Sequence, residues 1–167
     1  KPQNVHLRQR RSVAFKGSTL VQSNMSLHSA SWRVHCSAVD DLSVIEDSMQ
    51  WLAGEGAEIS RERSKSHHGA PQMLIEASID RKKGAKQAFL RMGSVALSDL
   101  RSAGIADLID EDKTLHVRVD IDELVQGRIS LATGKARKFA VKGRFKIESY
   151  PGQEPVEILN QLIDDIV

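Results

Sequence analysis

Aromatic side chains are scarce in this sequence: two Trp, one Tyr and four Phe make up 4% of it. So few rings cannot pave a sheet with the stacking platforms on which single-strand binders hold bases. There is one cysteine, Cys36. That excludes an internal disulfide and suits a reducing cytoplasm. No apolar run approaches the ~18 residues of a membrane span, so no membrane partner is expected.

Acidic residues are missing from 1–24, which carry five basic ones, Lys1, Arg8, Arg10, Arg11 and Lys16. Basic, acid-free and rich in Ser, Gln and Asn, this stretch fits a disordered basic tail or a non-native extension upstream of Met25. A nucleic-acid-contacting arm and a targeting peptide are the other readings. The expected fold starts after it, as one domain over 25–167. The whole chain is +2, but 25–167 hold 19 basic and 22 acidic residues, a net of −3. Bulk charge therefore gives no reason to expect nucleic-acid binding, which would have to come from a local patch.

What the chain does have is alternation. In KFAVKGRFKIE, 138–148, Phe139, Val141, Gly143, Phe145 and Ile147 share one parity, and Lys138, Lys142, Arg144 and Lys146 share the other. Side chains alternate across a strand, so this predicts one apolar and one basic face. SWRVHCSAV, 31–39, sets Trp32, Val34 and Cys36 against Arg33 and His35. AEISRERS, 57–64, is a polar strand near an edge, MLIEASI, 73–79, an apolar one, and TLHVRVD, 114–120, alternates again. RISLAT, 128–133, reads as a further strand, with TGKAR as a hairpin turn. Helices follow Asp40 or Asp41 (Leu42, Ile45, Met49, Leu52 inward) and Asp80 (roughly 82–92); a short one covers SVALSDLRSAG, and the last begins at Pro155. Clustered strands with short turns predict an α+β fold: a single, mostly antiparallel β-sheet with helices packed on one face.

Catalytic chemistry finds little support. TGK at 133–135 lacks the glycine spacing and the Ser or Thr of a phosphate-binding loop. His67 and His68 are adjacent and have no partner at metal-ligand spacing. Asp110, Glu111 and Asp112, with Asp120, Asp122 and Glu123, could hold magnesium in a nuclease, but solvated loops explain them more simply. Cys36 shares its face with Trp32 and Val34, so it reads as a buried structural thiol. No nucleophile elbow such as GxSxG occurs. The expectation is a protein that is no enzyme, with no catalytic residue, metal or cofactor. The basic residues remain. Lys142, Arg144 and Lys146, extended by Lys138, by Arg33, and by Arg61 and Arg63 on the polar strand, would form a single basic sheet face if their strands are neighbours. The plain alternative is an ordinary wet face.

Four stretches then carry a resemblance. They are VHCSAVDD (34–41), HHGAPQMLIEASI (67–79), DEDKTLHVRVDIDELVQGRISL (110–131) and IESYPG (147–152). Their order and spacing resemble an archaeal family of small RNA-binding proteins held to be exosome-associated. The family's fold is like that of the large-subunit ribosomal protein that binds 5S ribosomal RNA. The resemblance implies a ribosomal-protein-like fold, RNA as partner, and a role in RNA processing or degradation beside exosome or ribosome-related proteins. Many members carry Lys-Gln after the strand Asp; here Ile121 and Asp122 stand there, so an RNA contact at those positions would be lost. Asp120 and Gly127 carry over. The leading expectation is an RNA-binding protein gripping the phosphate backbone through a basic sheet face. The alternatives are a protein-interaction or homodimer module that ignores RNA, and a magnesium-dependent nuclease using Asp120, Asp122 and Glu123.

Overall fold

The structure is a computed structural model and describes residues 26–166. The stretch read as a basic tail or extension, 1–24, lies outside the described residues. Five strands form one antiparallel sheet in the order β2-β3-β1-β5-β4. They are β1 (Leu27–Ser37), β2 (Glu58–Lys65), β3 (Pro71–Ile79), β4 (Thr114–Val119) and β5 (Val141–Ile147). The helices are α1 (Leu42–Ala53), α2 (Lys82–Leu90), α3 (Gly93–Ser102), α4 (Ile105–Leu108), α5 (Ile121–Leu124) and α6 (Pro155–Asp164). The α+β expectation holds, with the polar strand β2 at an edge. Among the described residues, no helix is long and apolar enough to cross a membrane.

Asp41 starts α1 by accepting from the amides of Ser43 (3.1 Å) and Val44 (3.3 Å), which satisfies two of the helix's orphan donors. Ile45, Met49 and Leu52 are buried at helical spacing against the sheet. Pro155 opens α6, where its missing N–H costs nothing, and Leu159, Leu162 and Ile163 face the core.

The core side of the sheet centres on Trp32, fully buried on β1. Phe145 meets it edge-on at 5.5 Å, and Phe89 of α2 meets Phe145 at 5.4 Å. Such edge-to-face contacts suit the ring quadrupoles. Gly143 is paired directly with Trp32. A Cβ there would stand 2.5 Å from the indole Cζ3, so the ring occupies the space left by the missing side chain. Gly84, a weak residue for a helix interior, is explained the same way. A Cβ on it would lie 2.8 Å from Ile79 of β3, so glycine lets α2 approach the sheet.

Four local expectations are corrected. RISLAT is not a strand; it meets the sheet only through an isolated bridge from Leu131 to Val119. TGKAR is not a hairpin turn, because Gly134–Phe139 form a 3-10 helix. β5 therefore starts at Val141, and Phe139 is 71% exposed, not core. Asp80 does not cap α2: Arg81 occupies that position without a side-chain bond.

Candidate nucleic-acid interface

Residues paired across neighbouring strands point to the same face, so the register fixes which side chains share a surface. Buried Val34, Ile75, Gly143 and Val117 mark the helix-covered face. The other face is open. One row across it runs Ser60, Glu76, Arg33, Lys142, Arg118, and the next runs Glu58, Ser78, Ser31, Arg144, His116. Lys146 continues the line along β5, between Ser29 and Thr114.

Charge on this face is sorted by strand. The strands β1, β5 and β4 contribute Arg33, Lys142, Arg144, Lys146 and Arg118, with no acid. The strands β3 and β2 contribute Glu76, Glu58 and Glu62, with no base. An ordinary wet face mixes its signs. Here Lys142 stands directly opposite Arg33 on one side and Arg118 on the other, an arrangement that costs stability.

Some of these cations are partly engaged. Arg33 donates to Glu76 at 3.2 Å, on the seam between the two halves. Arg118 donates to the Arg137 carbonyl at 3.1 Å, and Lys146 to that of Asp112. The side chains of Lys142 and Arg144 have no hydrogen bond or ion pair among the described residues. Arg144 and Lys146 line a shallow depression of about 320 Å³ with Ser29, Ser31 and Ser78 and with two carboxylates, Glu76 and Asp80.

The structure does not bring all the expected cations together. Arg61 and Arg63 are paired with Ile75 and Met73, so they point to the helix side of the sheet. Arg61 is ion-paired with Glu46 of α1. The expected single face, with Arg61 and Arg63 beside Arg33, is corrected on this point. Lys138 is exposed in the 3-10 helix, ahead of the ladder. Arg118 and His116 join the face although neither was singled out. Their parity on β4 was readable, but their place beside β5 was not.

The acids have local employment. Asp110 Oδ2 meets His116 Nε2 at 2.7 Å, and its Oδ1 accepts from the amides of Asp112 (2.9 Å) and Thr114 (3.0 Å). The His116 bond first, then the Thr114 amide, holds the Asp110 carboxyl below the usual carboxylate range. Asp120 caps α5 through the amides of Asp122 (2.9 Å) and Glu123 (3.2 Å). Glu123 takes Arg128 at 2.6 Å. Cys36 is buried. Burial first, and Asp40 second, push its thiol up to about 11, while Arg61 pulls the other way.

A sheet open on one side, with cations gathered on three adjacent strands, is the kind of surface that holds a phosphate backbone. A family model described as RNA binding matches residues 29–147, from β1 through β5, and the chain belongs to that RNA-binding family. Similar folds are known in archaeal proteins. One from Archaeglobus fulgidus, of the DUF54 family, is 18% identical, with a TM-score of 0.68 over 83% of this chain and 98% of that one. A DUF54 protein from Methanothermobacter thermautotrophicus is 18% identical, with a TM-score of 0.68 over 85% and 99%. A UPF0201 protein from Methanococcus jannaschii is 10% identical, with a TM-score of 0.57 over 81% and 92%. At these identities the likeness is one of fold. No curated protein matches the sequence.

Proposed function

We propose that this protein is a non-enzymatic, cytoplasmic RNA-binding protein that works in RNA processing or degradation beside the exosome. The basic half of its open sheet face grips the phosphate backbone. The observation that carries this reading is the sorting of charge: Arg33, Lys142, Arg144, Lys146 and Arg118 are gathered on three adjacent strands at a cost in stability. Family membership supports RNA as the ligand. The exosome and the processing role rest on the family resemblance of the four stretches.

Filter binding of an RNA across salt concentrations tests the reading. Each phosphate contact adds about 0.7–0.9 to the slope of log K against log salt. Replacing Lys142 and Arg144 by alanine should lower affinity and flatten the slope by about 1.4–1.8. Unchanged affinity and slope would remove the face from consideration.

One observation favours a second reading. A face that is acidic on one half and basic on the other can complement itself across a two-fold axis, giving a homodimer. The face offers little apolar area for this, with Leu74 the sole aliphatic side chain among its paired strand positions. Light scattering after size exclusion, with and without RNA, separates the two. A stable dimer unmoved by RNA supports docking.

A further inference from the structure

The basic half of the face is narrow, and its width constrains its ligand. It spans β1, β5 and β4, which is two strand spacings or about 10 Å. Carboxylates fence one flank, where Glu76, Glu58 and Glu62 stand on β3 and β2; on the other, Asp110 stands beside the start of β4, bonded to His116. Lys142, Arg144 and Lys146 run down the middle at every second residue, about 7 Å apart. That step is close to the repeat of phosphates along an extended nucleotide chain.

The band holds no Trp, Tyr or Phe among its paired positions; it presents Arg, Lys, Ser, Thr and His. Bases turned toward it would find charge, hydroxyls and the His116 ring already bonded to Asp110, but no broad aromatic platform to stack on. Phosphates turned toward it would find five cations. A duplex laid flat toward β3 would bring its second backbone, across the groove, over the carboxylates of β3 and β2.

We propose that the ligand of this face is a single ribose–phosphate strand lying along β5, with its bases turned away from the sheet. Binding is then indifferent to base identity and poor for a duplex. This rests on the RNA-binding reading of the face given above.

Fluorescence anisotropy with labelled ten-nucleotide probes tests it: oligo(U), oligo(A), and a blunt mixed-sequence RNA duplex. The two single strands should bind within about threefold of each other and at least about tenfold tighter than the duplex, and the oligo(U) salt slope should approach about 3, for four to five contacts. Glu58→Gln with Glu62→Gln lowers the fence. It should improve duplex binding by about fivefold and leave oligo(U) within about twofold. A duplex that binds as tightly as oligo(U), or a tenfold preference between U and A, overturns the proposal. Lys142→Ala with Arg144→Ala separates the two levels of inference. If it leaves every probe unchanged, the face itself is misassigned. If it weakens every probe while the duplex still binds tighter, the face stands and the single-strand geometry is wrong.

Discussion

β5 and β2 carry the same pattern, a cation at every second residue: Lys142, Arg144, Lys146 on one and Arg61, Arg63, Lys65 on the other. The sheet sends them to opposite sides. On β5 the alternate positions are Val141, Gly143, Phe145 and Ile147, which take the core and leave the cations open to solvent. On β2 the alternate positions are Glu58, Ser60, Glu62 and Ser64. Neither set on β2 is apolar, and only Ile59 marks its inner side. Ile59 shares parity with Arg61 and Arg63, so those arginines follow it toward the helices. A run of cations thus says nothing about which face it occupies. The residues between them decide.

The sharpest break of this comparison is in the spacing of β5 itself. Gly143→Ala puts a methyl group where the Trp32 ring lies and should cost about 3 kcal/mol, read by urea unfolding. An unchanged midpoint would mean that the core side of β5 is looser than it stands here.

Next is the open side. Lys142→Ala with Arg144→Ala should weaken RNA binding by about tenfold or more near 0.1 M salt. The same change relieves the crowding of Arg33, Lys142 and Arg118, so the folded state should gain about 0.2–1 kcal/mol in thermal unfolding. Affinity lost while stability rises is the signature of a binding surface, and a merely wet face would not give it.

Arg61→Ala with Arg63→Ala serves as the counterpart on β2. RNA affinity should stay within about twofold, because these side chains face the helices. A loss comparable to that on β5 would move the interface to the other side of the sheet.

The smallest effect is expected at Asp110. Its carboxyl is held below its ordinary range in the fold, so its contribution is present above that range and is lost as pH falls through the folded value. Asp110→Asn should lower Tm slightly at pH 7, and the gap to the native protein should close at acid pH. A gap that persists at acid pH would point to a cause other than the carboxylate charge.

Much of the fold was legible because local signals agreed with one another. Asp41 before an apolar stripe, Pro155 before another, and strict alternation in 114–120 and 141–147 each fix an element by its own chemistry. Failures came where the deciding contact was distant. The 128–133 stretch has the composition of a strand, but only Leu131 bridges to the sheet, and Arg128 is tied to Glu123. Phe139 looked like core by parity until the 3-10 helix ended that parity before Val141. For the site, three lysine and arginine positions on β5 could be read directly. The contribution of Arg118 required the neighbour relation of β4 and β5. The side taken by Arg61 was written in Ile59, a single residue easily outweighed by three cations.

The edge strand β2 sorts its own charges just as cleanly. Its inner parity is Ile59, Arg61, Arg63, Lys65 and its outer parity Glu58, Ser60, Glu62, Ser64. If two copies paired through this edge with matching faces, the cations would meet one another or Ile59, and glutamate would meet glutamate or serine. A strand that repels its own image protects against uncontrolled assembly. Copies held close together are then kept from zipping into a fibre.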